Sequence, residues 1–391
     1  MNDISIYVHI PFCESKCYYC DFNSGLYSKE IQEKYFSALK NEIIQNKIKN
    51  KIKSIYFGGG TPSAVEPDFI VEILNLIKNN FNVKKDAEIT IECNPNSLDG
   101  NKLKTYYNAG FNRLSLGVQT TNKKSLKIIG RITEKNKLKN YKKIIKNNLK
   151  IAKKIGFKNL STDLMLGLPK NNIFNLIKDF LFLKKYSKHI SVYMLTVYEN
   201  TKFFEISKKY NLERKIIREY KLTEKFLKLF GYKQYEISNF AKAGFESKHN
   251  LNYWNLGEYL GFGLSAHSHI GDFRYSNSQS INTYLQNFEN LKFNTNLKLS
   301  QQIIEQVKLL NNNIEQLSVN QQAEEYLMLQ FRLNSGLDLN EFKAKFYDLS
   351  DKKRANLKEL EVKKLIKTQN GKLFLTQKGR IFENQVILQL I

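Results

Sequence analysis

The first two hundred residues alternate between short apolar runs and longer segments with helical spacing. The apolar runs, typical of buried strands, lie at residues 4–10, 54–57, 87–93, 113–118, 159–165 and 189–197. The helical segments are clearest at residues 27–46, 67–79, 135–155 and 173–186, with a short one at 103–108. This alternation predicts a parallel α/β sheet with helical crossovers. Near-continuous apolar strands fit a sheet covered on both faces or an open barrel.

Three of the four cysteines lie in the segment CESKCYYC, residues 13–20, directly after the first predicted strand. The start of the chain does not resemble a secretory signal, so we expect a reducing, cytoplasmic compartment, where clustered cysteines serve as metal ligands more often than as disulfides. A structural zinc site normally takes four ligands, and the nearest imidazole, His9, lies within the first strand. Three thiolates from Cys13, Cys17 and Cys20 instead suit a 4Fe–4S cluster with one iron left open. We expect Cys93 to pack on its strand.

Unusual residues also follow the other predicted strands. GGGTP (58–62) follows the second strand, Glu92 ends the third, Gln119 follows the fourth, and Asp163 lies on the fifth. Because the carboxyl ends of parallel strands meet at one edge, these groups should lie near the cysteines. Glycines permit close backbone approach, Glu92 and Asp163 offer carboxylates, and Gln119 and Arg131 offer hydrogen-bond donors.

Tyr7, the three cysteines and GGGTP together resemble the radical S-adenosylmethionine (SAM) superfamily. The resemblance implies a partial (β/α)6 barrel, with a 4Fe–4S cluster and SAM at the carboxyl ends of the strands. SAM would chelate the open iron, and an electron from a donor such as flavodoxin or ferredoxin would cleave it to a 5′-deoxyadenosyl radical. The residues implied to contact SAM are Tyr7, Tyr19, Gly59, Gly60, Thr61, Glu92, Gln119, Arg131 and Asp163.

Further motifs, including YEISNFA, HNLNYW and YLGFGLSAHS, are similar to the coproporphyrinogen dehydrogenase-like group. One branch is the oxygen-independent coproporphyrinogen III dehydrogenase, and the other comprises the HemW heme chaperones, which bind heme and pass it to acceptor proteins. Phe22 stands where the dehydrogenase pattern has a further cysteine, the lead before the cysteines is short, and HNLNYW (249–254) fits the HNxxYW motif of the chaperones. We therefore expect a heme chaperone with an unknown acceptor, and keep the dehydrogenase as the alternative.

Histidine is a common heme ligand through a neutral ring nitrogen. Within the chaperone motif, His249 is the candidate for heme contact, beside the flat rings of Tyr253 and Trp254. His267 and His269 are its rivals, and each is more readily explained as a structural residue.

The chain departs from the family pattern at four positions, none of which removes a cluster ligand. Tyr18 replaces a frequent proline, Leu264 replaces a proline, Leu166 replaces an aromatic residue, and Thr133 replaces histidine or glutamine. Leu166 and Thr133 bear on the shape of the SAM pocket.

Three regions are expected along the chain: the barrel at 1–230, a connecting segment carrying HNxxYW at 231–309, and a C-terminal domain at 310–391. The last region reads as short helices with a strand and turn at 373–379, which predicts a small, mainly helical, winged-helix-like domain. It could cover the barrel mouth or contact an acceptor.

The net charge is +25, but the lysines are spread along the chain, which is typical of a solvated surface. RNA modification would rest on this charge alone, and we expect no DNA partner. No apolar run is long enough to span a membrane, and a homodimer is one assembly open to the chain.

Overall fold

The computed structural model describes residues 3–132, 140–289 and 314–390. Its main element is a twelve-stranded sheet with six parallel strands at the centre. These strands are β1 (Ile4–Ile10), β2 (Lys51–Gly59), β3 (Asn82–Cys93), β4 (Arg113–Gln119), β5 (Asn159–Leu166) and β6 (His189–Met194). Each coincides with a strand predicted from the sequence, so the six-stranded α/β core is confirmed.

Helices follow these strands along the chain. They are α1 (Lys29–Gln45), α2 (Pro67–Asn80), α3 (Gly100–Ala109), α4 (Lys123–Ile128), α5 (Tyr141–Ile155) and α6 (Ile173–Leu183), and a 3₁₀ turn at Pro62–Ala64 precedes α2. Local signals set their limits: the Asp99 side chain accepts the Lys102 N–H at the start of α3, and Gly110, at φ 102°, ends it. The predicted helix at 135–155 begins outside the described residues. None of the helices described has the length and apolar character of a membrane span.

The six parallel strands are apolar on one face and polar on the other. On β1, the even-numbered residues from Ile4 to Ile10 are fully buried in the main hydrophobic core, whereas Ser5, Tyr7 and His9 point to the opposite side. Paired positions continue this polar face across the barrel interior through Tyr56, Thr90, Arg113, Ser161 and His189. Of the two architectures that the apolar runs left open, the structure agrees with the barrel, whose inner face is lined by polar side chains.

The alternation was expected to stop after residue 200, but the sheet continues. The next elements are α7 (Phe203–Ser207), α8 (Leu212–Leu229), β7 (Lys233–Gln234), β8 (Asn239–Ala241), α9 (Lys248–Trp254), β9 (Tyr259–Phe262), β10 (His267–Ile270), β11 (Phe273–Ser276), α10 (Ile281–Glu289) and β12 (Ile314–Gln316). β9 pairs in parallel with β1, and β8 pairs antiparallel with β6. The segment predicted to connect the two domains thus also extends the sheet at both edges.

Helix α9, which carries the HNLNYW segment, enters the barrel near the amino ends of the strands. The Glu88 carboxylate on β3 accepts the backbone N–H groups of Lys248 (3.2 Å) and His249 (3.1 Å). The Ser247 side chain accepts the Asn250 N–H, which caps the helix start. This end of the barrel, opposite the cysteine loop, is therefore closed by a helix held by a buried carboxylate.

The last described residues form a small domain with its own core. Its elements are α11 (Val319–Arg332), β13 (Leu337–Asp338), α12 (Leu339–Lys345), α13 (Asp351–Val362), β14 (Ile366–Gln369), β15 (Lys372–Leu375), α14 (Gln377–Ile381) and α15 (Glu383–Ile387). Short helices around a three-stranded sheet agree with the predicted winged-helix-like domain. Arg380 of this domain donates to Glu224 of α8 at 2.7 Å, which joins it to the barrel. The exact boundaries at 230 and 310 stay a prediction.

Helix α1 is tied to the later part of the sheet by one buried carboxylate. Glu42 accepts hydrogen bonds from the Gly263 N–H (2.8 Å), the Asn277 amide (2.6 Å) and the Tyr284 hydroxyl (2.6 Å). Burial raises the pKa of Glu42 to about 7, although these donors oppose the shift. The segment from Gly263 to Tyr284 therefore packs on α1 through a buried hydrogen-bond network centred on the Glu42 carboxylate.

Replacing Glu42 with alanine should leave three buried donors without their acceptor. We expect the free energy of unfolding to fall by about 2–4 kcal/mol, measured by denaturant titration. Glu33→Ala, at an exposed position of the same helix, should change it by less than about 0.5 kcal/mol. Equal effects of the two substitutions would contradict the role given to Glu42.

Candidate metal centre and cofactor site

The cysteine segment follows β1 and is held by backbone hydrogen bonds. The Cys13 N–H donates to Gly25 O at 2.9 Å, and the Tyr18 N–H donates to Ile129 O at 2.9 Å. The thiols of Cys13, Cys17 and Cys20 are free and half-buried. Burial raises the pKa of Cys13 and of Cys20 above the usual thiol value. Metal binding must therefore displace their protons, as it does at thiolate sites generally.

The three thiols line a cavity of about 290 Å³ at the carboxyl ends of the parallel strands. In the described residues, no three His, Cys, Asp or Glu side chains converge closely enough to hold a single metal ion. A cluster takes one ligand on each iron, so thiols spread around a cavity suit it. The same cavity is lined by most of the residues predicted to contact SAM, namely Tyr19, Gly59, Gly60, Thr61, Glu92, Gln119, Arg131 and Asp163.

The glycine-rich segment lies against the start of the cysteine loop. The Gly60 N–H donates to Ile10 O at 2.8 Å, and the Thr61 N–H donates to Phe12 O at 2.8 Å. A Cβ atom on Gly60 would lie only 2.8 Å from each of these two carbonyl oxygens. Glycine is therefore required at position 60, because the two backbone segments approach too closely for any side chain.

Two buried carboxylates line the cavity. Glu92 accepts a hydrogen bond from the Tyr56 hydroxyl at 2.6 Å, and burial raises its pKa to about 7. Asp163 accepts from the Ser115 hydroxyl at 3.1 Å, and burial raises its pKa as well. A ligand that brings a positive charge or hydroxyl groups would lower the cost of keeping these acids ionised.

Two further side chains present unpaired polar atoms. Arg131 lies 3.7 Å from Cys17 Sγ through Nη1 and donates to Gly117 O, but its buried Nε has no partner in the described part of the chain. The buried Oε1 of Gln119 also lacks a partner there. Buried polar atoms without partners are rare in proteins. Here they line a cavity with three thiols, so the residues present fit both an iron–sulfur cluster and SAM.

Tyr7 is the exception among the predicted SAM contacts. It lines a neighbouring groove, where its hydroxyl lies 3.0 Å from His9 Nδ1 and its ring stacks on that of Tyr56. Tyr7 alternates with the apolar residues of β1 and so points into the barrel interior, where residues of the cysteine loop line the same groove. Tyr7 therefore does not line the thiol-lined cavity itself, and its contact with SAM stays a prediction.

His249, the candidate for heme contact, is buried in the barrel interior. Its side chain is only 1% exposed, and its ring stacks on Tyr56 at 4.9 Å. Nδ1 lies 2.9 Å from the Ser54 hydroxyl and Nε2 lies 2.9 Å from the Tyr253 hydroxyl. Burial lowers the pKa of His249 to about 3. The imidazole is neutral, but both nitrogens are already engaged, so it is not available as a heme ligand in this conformation.

The other motif residues separate as well. Tyr253 reaches the neighbouring groove, whereas Trp254 lies under the Arg332 guanidinium of the C-terminal domain, 4.5 Å from its centre. The two rings therefore do not form one surface for a porphyrin.

Several cavity residues were not predicted from the sequence: Lys16, Asn94, Ser115, Met165 and Tyr193. The sequence did hold a signal for two of them. Ser115 lies two positions before Gly117 and Met165 lies two positions after Asp163, so each shares a strand face with a cavity residue. Cys93 is buried in the core as expected, although it borders the cavity. Leu166 and Leu264 are fully buried core residues, and Thr133 lies outside the described residues.

Two family models match this chain: the radical SAM superfamily over residues 7–183 and the HemN C-terminal domain over residues 317–382. The chain is 33% identical over 394 residues to the heme chaperone HemW of Bacillus subtilis, covering 98% of this chain and 97% of that protein. It is 42% identical over 294 residues to HemW of Buchnera aphidicola, covering 72% of this chain and 76% of that protein. The structure of coproporphyrinogen III oxidase (HemN) from Escherichia coli shares its fold, with a TM-score of 0.81 over 100% of this chain and 90% of that one at 23% identity.

Replacing Cys17 with serine should remove one cluster ligand. We expect most of the iron and sulfide to be lost after anaerobic reconstitution, as measured by chemical analysis and visible absorbance. Cys93→Ser is the matched control, because Cys93 borders the same cavity on a strand and should leave the iron content unchanged. Full iron retention by Cys17→Ser would exclude Cys17 as a ligand.

Proposed function

The chain belongs to the radical SAM superfamily and, within it, to the family of the heme chaperone HemW, and we propose that it binds heme and passes it to acceptor proteins. The observation that carries this proposal is the similarity to the Bacillus subtilis heme chaperone, which spans nearly the full length of both chains. The thiol-lined cavity and the HemN-type C-terminal domain support it, since both are parts that such a protein needs.

In this proposal, Cys13, Cys17 and Cys20 hold the 4Fe–4S cluster as thiolates. When bound, the cluster supplies one-electron chemistry to SAM. Arg131, beside Cys17, balances the negative charge of the thiolates. The loop hydrogen bonds from Cys13 and Tyr18 fix the thiols before the metal arrives, so less ordering entropy opposes binding.

SAM contacts are assigned to the polar residues of the same cavity. Arg131 and Gln119 have unpaired polar atoms there, and a guanidinium matches the geometry of the SAM carboxylate. Glu92 and Asp163 suit its ammonium or ribose hydroxyls, while Tyr19, Gly59, Gly60 and Thr61 shape the remaining wall.

The alternative function is oxidative decarboxylation of coproporphyrinogen III. It draws on the fold shared with HemN at 23% identity, and a shared fold does not carry an activity. We also propose that the protein acts in the cytoplasm, because its four cysteines are free thiols, as a reducing compartment requires. The acceptor's identity and the homodimer stay predictions.

We propose that the electron donor is an acidic protein of the flavodoxin or ferredoxin class. A groove of about 1050 Å³ between α5 and α6 is lined by lysines and by no acidic residue among those described; the lysines are Lys123, Lys142, Lys143, Lys146, Lys150, Lys178, Lys184 and Lys185. Tyr141, at the start of α5, lines this groove, and the charge of Arg131, the cavity residue beside Cys17, acts on its hydroxyl. An acidic partner seated here would therefore lie close to the cluster.

Heme titration of the anaerobically reconstituted protein tests the proposed function. A saturable Soret band should appear, and the loaded protein should deliver heme to a heme-free cytochrome faster than it loses heme to excess apomyoglobin. With coproporphyrinogen III, SAM and a reductant, the same preparation should yield no protoporphyrinogen. Absence of saturable binding would refute the chaperone, and robust protoporphyrinogen formation would establish the alternative.

Charge reversal on α5 tests the donor surface. The double variant Lys146→Glu/Lys150→Glu should slow reduction of the cluster by flavodoxin about tenfold at low salt, and the difference should shrink as salt rises. Lys352→Glu/Lys358→Glu makes the same charge change on exposed positions of the C-terminal domain and should leave the rate unchanged. Equal rates for both variants would place the donor elsewhere.

A further inference from the structure

A second concavity adjoins the thiol-lined cavity. This groove has a volume of about 680 Å³, within the range of pockets that hold small organic ligands. Lys16, Phe22 and Ser24 of the cysteine loop line both spaces. The other residues of the groove come mainly from β1, α9, β9 and β10; they include Tyr7, His9, Tyr253, Tyr259 and His267.

The chain has five histidines, and the structure describes all of them. His9 uses both ring nitrogens, on the Tyr7 hydroxyl and on Asn23 O, each at 3.0 Å. His189 likewise uses both, on Ser161 Oγ and the Tyr235 hydroxyl, each at 2.8 Å. His249 is engaged on both sides as well, and His269 is buried and does not line the groove.

His267 differs from the other four in being exposed. It begins β10, its side chain is exposed in the groove, and it makes no hydrogen bond with any described residue. Partial burial, aided by the positive charge of Arg274, lowers its pKa, so the imidazole is neutral at pH 7. A neutral imidazole with a free nitrogen is the form that binds heme iron.

The walls of the groove are aromatic. Tyr253 and Tyr259 meet edge to face with ring centres 4.6 Å apart, and Phe22 at the rim is 64% exposed. Burial raises the pKa of Tyr7, Tyr253 and Tyr259, so none of these phenols is ready to bind iron as a phenolate. These rings therefore offer apolar contact surface and leave iron ligation to the imidazole.

Close approach of β9 and β10 fixes the position of His267. A Cβ atom on Gly261 would lie 2.1 Å from His267 O, so the β10 backbone crosses directly over a glycine of β9. β9 in turn pairs with β1, placing Gly261 opposite Tyr7. His267 is thus carried on the sheet itself, in fixed relation to the aromatic wall.

We propose that this groove is the heme site of the chain, with His267 as the axial ligand and the rings of Tyr253 and Tyr259 against the porphyrin. This proposal rests on the proposed heme function and names its site. Lys16 supplies positive charge for a propionate at the boundary with the thiol-lined cavity; its Nζ is held by the carbonyls of Phe22 and Ser24. A heme in the groove would thus contact the loop that carries the cluster.

The HNxxYW motif then has a positioning role. His249 Nε2 bonds the Tyr253 hydroxyl at 2.9 Å, and Tyr253 lies four residues later on the same helix. The buried imidazole therefore fixes the ring that forms a wall of the groove. Loss of His249 would weaken heme binding by loosening this wall without removing an iron ligand.

The test is heme titration of the full-length, cluster-reconstituted protein, read by absorption and by electron paramagnetic resonance of the ferric form. His267→Ala should weaken heme binding at least tenfold and abolish the signature of histidine ligation. Added imidazole should restore that signature, because it can enter the space left by the side chain. His269→Ala, two residues along β10, removes an imidazole that contacts Tyr259 but does not line the groove, so it should keep histidine ligation and should not respond to imidazole.

Cluster content and thermal unfolding verify that each variant is folded. His249→Gln should bind heme more weakly, keep histidine ligation, and not respond to imidazole. Wild-type affinity and ligation in His267→Ala, or imidazole rescue confined to His249→Gln, would overturn the site while leaving the heme function intact. Failure of the wild type to bind heme would instead overturn the function, and the site with it.

Discussion

The barrel interior depends on one buried cation. Arg113 on β4 is only 2% exposed, and although burial opposes its charge, Glu88 and Asp163 hold its pKa above the ordinary value. An unpaired buried charge costs several kcal/mol, so these carboxylates cannot be lost without a replacement. Glu88 receives the start of α9 at one end of the barrel, and Asp163 lines the thiol-lined cavity at the other. The same guanidinium therefore stabilises one carboxylate that holds the closing helix and another that lines the cavity at the mouth of the barrel.

The central strands and most of the cavity could be predicted because their signals are local. Strands such as Ile4–Ile10 can be recognised from their run of apolar residues. Parallel strands bring their carboxyl ends together at one edge, which places the residues that follow them side by side. The strands between residues 231 and 316 escaped prediction because they are two to four residues long and are defined by partners far along the chain, as in the pairing of β9 with β1. The surroundings of His249 and Tyr7 could not be predicted for a related reason. A motif specifies residue types and spacing, but the burial of these two side chains depends on Ser54 and Tyr56 of another strand.

The HNLNYW segment is best understood as a junction. His249 is buried in the barrel, Tyr253 reaches the groove, and Trp254 lies under Arg332. Arg332 also donates to Glu383 at 3.0 Å, so the last turn of α9 is bound into the C-terminal domain. This seven-residue helix therefore contacts the barrel interior, the groove and the C-terminal domain. Several of its side chains thus have fixed surroundings, although none of them lines the thiol-lined cavity.

The loop between β1 and α1 forms a common wall of the thiol-lined cavity and the groove. Lys16 and Phe22 face both spaces, and the loop also carries Cys17 and Cys20. An occupant of one space that shifts this loop would change the affinity of the other space, and such coupling is reciprocal. If assembly of the metal centre raised the affinity for porphyrin by a given factor, bound porphyrin would raise the affinity for the metal centre by the same factor. Cargo loading would then depend on the redox cofactor, and the loop between β1 and α1 would be the only connection between the two that this requires.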